Sequence, residues 1–155
     1  MSLEYRLTLA GTVPIVEVAA RAFPDPADRP APDEDGKTLS ADLDDRYGFT
    51  ADLITTTGRY YSAPPEAGDD FEYWEWEPAV SVDLTFRFTW DGDRFPAAFR
   101  AVVTAIAQVL ASGTEDAAIM VSGDTVLLTR VNGVVTKHDR GWWEHYPWAN
   151  TLIPG

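Results

Sequence analysis

Val80, Val82, Leu84, Phe86, Phe88 and Trp90 alternate with Ser81, Asp83, Thr85, Arg87 and Thr89. A period of two places the apolar set on one face of a strand and the polar set on the other, and no helical spacing accommodates it. Asp91-Gly92-Asp93 breaks the run. Pro96 then opens a helix whose apolar stripe is Phe99, Val102, Val103, Ile106, Val109 and Leu110, ended by Gly113. A one-sided strand followed by a one-sided helix calls for layers, with helices packed on the apolar face of a sheet.

The remaining segments fit that scheme. Leu3, Tyr5, Leu7 and Leu9 alternate with Glu4, Arg6 and Thr8 as a first strand. Gly11-Thr12 ends it, and Thr12 is expected to cap a helix carrying Pro14 in its first turn. Val16, Ala19, Ala20 and Phe23 form that helix's inner face. Phe49, Ala51 and Leu53 alternate with Thr50 and Asp52. Ala117–Val121 is apolar on both faces, as a central strand should be. Gly123-Asp124 turns into TVLLTRV, and Asn132-Gly133 makes a type I′ hairpin into VVTKH. The order β-α-β-β-α-β plus a C-terminal hairpin predicts a ferredoxin-like α+β sandwich, an antiparallel sheet with two helices on one face. Its core is expected to hold Leu7, Leu9, Leu53, Val82, Leu84, Phe86, Phe99, Val103, Ile106, Ile119 and Val121. Residues 1–155 read as one domain. Phe23–Lys37, rich in Pro and Asp without apolar period, predicts a mobile loop, and the acidic Pro/Asp segment as a whole covers 23–40.

One stretch is unusual. FEYWEWEP (Phe71–Pro78) mixes aromatics and glutamates too densely for an ordinary loop or core strand. Setting Phe49 opposite Phe86 and carrying the register outward places Leu53 against Val82, Arg59 against Trp76, and Tyr61 against Trp74. The stretch is then the outer half of a long central hairpin, 58–78, beyond the reach of the helices. Pro78 interrupts its ladder. Trp74 and Trp76 share a face with Glu72, while Glu75 and Glu77 point the other way with Phe71 and Tyr73. Two readings stand side by side. In one, the tryptophans fold over the end of the core or meet the second aromatic cluster, Gly141–Trp148. In the other, Tyr60, Tyr61, Asp69, Asp70, Glu72, Trp74, Glu75, Trp76 and Glu77 form a partner surface, where aromatics supply contact area and carboxylates select a cation. Arg59 over Trp76 would stiffen the tip through a cation–π contact.

Charge narrows the partners. With 25 acidic against 12 basic residues and a net of −13, the chain repels phosphate backbones and anionic membranes, so no nucleic acid is expected. Membrane insertion is not expected either, since the apolar run Ala101–Ala111 falls short of the about 20 residues a span needs. There is no cysteine for a disulfide or thiolate metal site. The opening MSLEYRLTLAG lacks a signal-peptide pattern, so a cytoplasmic location is expected. A metal site on His138 and His145 would need a carboxylate such as Glu144, which is adjacent to His145 and points away from it on any regular element, and Asp33-Glu34-Asp35-Gly36 brings its glycine too early for a calcium loop. No catalytic motif is present, so neither metal, cofactor nor catalysis is expected.

Three stretches carry a family resemblance. LEYRLTLA near the start, SVDLTFRF in the centre, and above all SGDTVLLTRVNGVV (Ser122–Val135) resemble the Sit, or swarming-inhibition toxin, class of immunity proteins of soil bacteria. The likeness covers most of the chain and leaves out the Asp/Pro loop and FEYWEWEP. It implies a cytoplasmic protein that protects its producer by binding a cognate toxin, and the acidity agrees with a cationic, basic toxin. It transfers no site residue. Two alternatives remain at this level. One is a small enzyme using carboxylates and His145 near the C-terminal aromatics; the other is an acidic scaffold or regulatory module.

Overall fold

The computed structural model describes residues 3–63, 74–89 and 92–155. The alternating strand is β7, Val80–Phe88; Trp90, last in the alternation, lies outside the described residues. β7 sits inside an eight-stranded sheet built with β1 (Glu4–Ala10), β2 (Ala31–Pro32), β3 (Thr38–Leu43), β4 (Phe49–Thr57), β8 (Ala117–Val121), β9 (Thr125–Val131) and β10 (Val134–Lys137). Its order is β10-β9-β8-β1-β7-β4-β3-β2, and every neighbouring pair is antiparallel. The remaining strands, β5 (Tyr61–Ala63) and β6 (Trp74–Trp76), pair with each other alone. Asn132 and Gly133 turn the β9–β10 hairpin with φ of 51° and 80°, as a type I′ turn requires.

One face of the large sheet is apolar. Tyr5, Leu7 and Leu9 of β1, Phe49, Ala51 and Leu53 of β4, and Val82, Leu84, Phe86 and Phe88 of β7 are all buried there. Helices α1 (Ile15–Ala22) and α3 (Phe95–Ala111) pack into the same cluster and touch each other. Full burial of a side chain such as Phe86 contributes about 1.5–3 kcal/mol. Every expected core residue is buried except Val121, half-buried at the end of β8. The α3 stripe is buried throughout.

Several local expectations need correction. Pro14, not Thr12, is the N-cap of α1, and no side chain caps that helix. The inner face is Val18, Ala19 and Ala22, leaving Val16 62% exposed. The shift follows from where the helix begins, because each residue of offset turns the apolar stripe by about 100°. The acidic segment is also more ordered than its composition implies. It contains a 3₁₀ turn, Pro26–Asp28, and the strands β2 and β3. Leu39, Ala41 and Leu43 of β3 lie opposite Leu53, Ala51 and Phe49, extending the apolar face by one strand. Asp28 is buried, accepts a hydrogen bond from the Tyr47 hydroxyl at 2.9 Å and pairs with Arg46. That ties the turn to α2 (Asp44–Tyr47).

Two helices were expected, and the described residues form five. The C-terminal aromatic segment forms α4 (Arg140–His145) and α5 (Pro147–Leu152). Trp143 is buried and donates its indole N–H to the carbonyls of Leu127 and His138, at 2.9 and 3.0 Å. Phe99 gathers Tyr5, Tyr146 and Trp148 at ring separations of 5.5, 4.8 and 5.3 Å. The C-terminal aromatics therefore complete the helix-side core. At the far end of α3, Arg21 donates to the carbonyl of Val109 and Arg130 to that of Leu110. These carbonyls belong to the last turn and have no partner inside the helix. A Cβ at Gly113 would meet the Arg21 guanidinium and the Glu115 carboxylate, so a larger residue there has to displace the ends of both side chains.

Candidate partner-binding hairpin

The long hairpin expected from the sequence is broken into two parts. β4 and β7 pair two residues away from the expected register, with Phe49 opposite Phe88 and Leu53 opposite Leu84. In the outer part Tyr61, not Arg59, faces Trp76, and Ala63 faces Trp74. Gly58 at φ 66° interrupts the strand, and its N–H bonds across to the carbonyl of Ala79 at 3.2 Å. Pro78, buried on the opposite arm, brings no N–H to a continuing ladder. The outer hairpin instead turns back over the polar face of the large sheet. Tyr61, Met120 and Val126 form a second small cluster there, with Trp74 and Trp76 packed against it. An extended tip would leave these aromatic rings in water, and folding back removes much of their surface from it.

The floor beneath is mostly polar. Thr8 lies opposite Asp83 in the β1–β7 ladder, and both are almost completely buried. The Thr8 hydroxyl donates to Asp83 Oδ1 at 2.7 Å, and the Tyr61 hydroxyl donates to the same oxygen at 3.2 Å. Burial is the main cause that pushes the Tyr61 phenol above its ordinary range. Ser81 is buried beside them and shares a 2.8 Å hydrogen bond with Thr56. Arg59 approaches from the half-exposed side, its Nη2 lying 4.0 Å from Asp83 Oδ2. The expected stacking of Arg59 on Trp76 is thus replaced by an approach to Asp83.

The outer side of the hairpin is charged. Tyr60 is 56% exposed and donates its hydroxyl to Glu75 Oε1 at 2.8 Å. That bond is the first cause raising the Tyr60 phenol, since a carboxylate acceptor favours the protonated hydroxyl. Glu75 and Glu77 are exposed, while Trp74 and Trp76 are half-buried with ring centroids 6.0 Å apart. Trp74 also lies 6.5 Å from the His138 ring, whose Nε2 is 3.0 Å from the Thr129 hydroxyl. Of the nine sequence-derived surface residues, the structure thus brings Tyr60, Glu75 and Glu77 together outwards. Tyr61 is 5% exposed, its hydroxyl turned down to the floor rather than outwards. Asp69, Asp70 and Glu72 lie outside the described residues.

Sequence reasoning passed over Asp83 and Thr8, and gave Arg59 a different partner, Trp76. In the alternation, Thr8 and Asp83 occupy outward positions, which on a one-sided sheet are solvent-facing. The available signal was Asp83 itself, the lone carboxylate among the outward positions Ser81, Asp83, Thr85 and Arg87.

The helix side offers other concavities. Glu144 lines a cleft of about 250 Å³ with Lys137, Arg140, Trp143 and Asn150. Its neighbour His145 packs edge-on against Tyr146, with ring centroids 4.7 Å apart. Among the described residues, no three His, Cys, Asp or Glu side chains group to hold a metal ion. No described helix is long and apolar enough to cross a membrane.

Residues 3–147 match the SitI3-like family, a family of Sit-type immunity proteins, and the chain belongs to it. No curated protein and no solved structure matches the chain.

Proposed function

We propose that this chain is an immunity protein that neutralises a cognate protein toxin by binding it, without catalysis of its own. The observation that carries this reading is the family match over residues 3–147. A net charge of −13 supports a basic toxin, because such a field speeds encounter with a cationic partner. Contact is assigned to the outer side of the β5–β6 hairpin. Tyr60, Glu75 and Glu77 face outwards there, with Trp74 and Trp76 half-buried beside them. Asp69, Asp70 and Glu72 lie between the two strands in sequence and belong to the same acidic segment. Tyr61 holds the hairpin to its floor. The protein works in the cytoplasm of the producing cell, where the toxin would otherwise act.

The same reading treats the chain as one domain of ferredoxin-like plan. The inner order β8-β1-β7-β4, with α1 following β1 and α3 joining β7 to β8, supports that plan. β9 and β10 extend the sheet at one edge and β3 and β2 at the other.

The test is co-expression with the adjacent reading frame in a sensitive host. Growth is expected only when this chain is present, and a co-purifying complex should accompany it. Toxicity that this chain fails to relieve, at expression levels matched to the toxin, would sink the reading.

A further inference from the structure

A carboxylate taken out of water needs an ionic or hydrogen-bonded partner for each oxygen, because desolvation of an unpaired charge is costly. Asp83 meets that demand on one side only. It is 2% exposed, and Oδ1 accepts from Thr8 and Tyr61. Oδ2 is buried and has no hydrogen-bond donor among the described residues. The cation within ion-pair range there is Arg59, at 4.0 Å, beyond the 2.7–2.9 Å of a charge-assisted hydrogen bond. The Arg59 side chain remains 46% exposed, so its approach is loose and reversible. The hairpin above is held to this floor by a small cluster, Tyr61, Met120 and Val126, with half-buried Trp74 and Trp76. Its floor of Thr8, Ser81, Asp83 and Thr85 is polar and buried.

We infer that Asp83 marks a guanidinium-binding site beneath the hairpin, filled loosely by the chain's own Arg59 and open to an arginine side chain of a partner. An incoming guanidinium displaces Arg59, reaches Oδ2 at hydrogen-bond length and supplies the donor that Arg59 does not. Arginine suits this role better than lysine because its planar fork presents parallel N–H groups to a carboxylate. The aromatic rings of Trp76 and Tyr61, 5.6 Å apart beside the site, add surfaces on which a guanidinium stacks. That the arginine comes from the toxin rests on the immunity reading; the site itself does not.

Methylguanidinium is the probe, titrated into the Arg59→Ala variant and followed by amide chemical shifts of Thr8, Tyr61 and Asp83. Saturable shifts in the millimolar range are expected, with the remainder of β4 and α3 unaffected. An Arg59→Ala/Asp83→Asn double variant should bind at least about tenfold more weakly, the effect of losing a hydrogen bond to a charged group. Tetramethylammonium at the same concentration, which cannot donate, should give no shift. Absence of saturation in Arg59→Ala, or equal response in the double variant, overturns the site. Should Arg59→Ala fail to fold, Arg59→Gln serves with the same readout. A positive titration alongside failed growth rescue would leave the guanidinium site standing and remove the toxin as its source.

Discussion

Arg130 Nη1 lies 2.7 Å from the carbonyl oxygen of Leu110, and its Nε lies 2.8 Å from the carbonyl of Glu115. One side chain from β9 thus ties the end of α3 to the loop that follows it. The guanidinium is nearly buried, and the Glu115 carboxylate stands 3.9 Å from its Nη2. Replacing Arg130 by Met removes the donors and leaves two carbonyls to find other partners. Arg130→Met is expected to cost about 3 kcal/mol in urea unfolding, through the two carbonyl acceptors left without a donor, while Glu115 keeps its closer pair with Arg21 at 2.9 Å. A loss below 1 kcal/mol would show that water replaces the arginine without penalty.

Leu84 and Val16 test the layer assignment in opposite directions. Leu84 is 1% exposed at the centre of β7, opposite both Leu7 and Leu53. Leu84→Ala should cost about 2–5 kcal/mol. Val16 sits on the outer face of α1, and Val16→Ser should stay within about 0.5 kcal/mol. Chemical denaturation of the two variants reads both, and equal effects would contradict the orientation of α1.

Tyr5 links stability to alkaline pH. Burial pushes its phenol up to about 12 from an ordinary 10.0, opposed by the N–H that Trp142 donates to its oxygen at 3.2 Å. Between those values the unfolded chain has released the proton and the folded chain retains it. The folded state binds more protons, so stability is full below pH 10 and falls as pH rises towards 12. The fall attributable to Tyr5 is about 3 kcal/mol across the window. Thermal unfolding at stepped pH should show a shallower alkaline limb for Tyr5→Phe than for the unchanged chain. Identical limbs would place the origin of alkaline sensitivity elsewhere.

On the proposed contact role, the outer face of the hairpin should separate rate from affinity. Glu75→Gln with Glu77→Gln should slow association with a basic toxin at low salt, and the difference should vanish at high salt. Trp74→Ala should weaken the complex by about 2 kcal/mol if Trp74 is an anchor. Surface plasmon resonance paired with melting curves distinguishes the outcomes. A lowered melting temperature with unaltered binding would assign Trp74 to the hairpin's own packing.

Periodicity alone determined much of this protein. The alternation along β1, β4 and β7, the α3 stripe and the Asn132-Gly133 turn are local patterns, and each appears where its spacing places it. The family likeness was also legible, because it rests on those same strands and turns. Other features depended on the assembled molecule. β3 is short and follows an Asp/Pro-rich stretch, so it becomes a strand only because β4 offers an open edge with Leu53 and Phe49 in register. The C-terminal aromatics turn helical against Phe99 and Leu127, partners distant in sequence. The fate of FEYWEWEP was decided in the same way. Its alternation sets Trp74 and Trp76 on one side and Glu75 and Glu77 on the other, but a period of two says nothing of direction in space. A bend at Gly58 and a polar floor with Asp83 at its centre bring the β5–β6 pair down onto the sheet, since burying the aromatic surface of Tyr61, Trp74 and Trp76 against Met120 and Val126 outweighs leaving it in water.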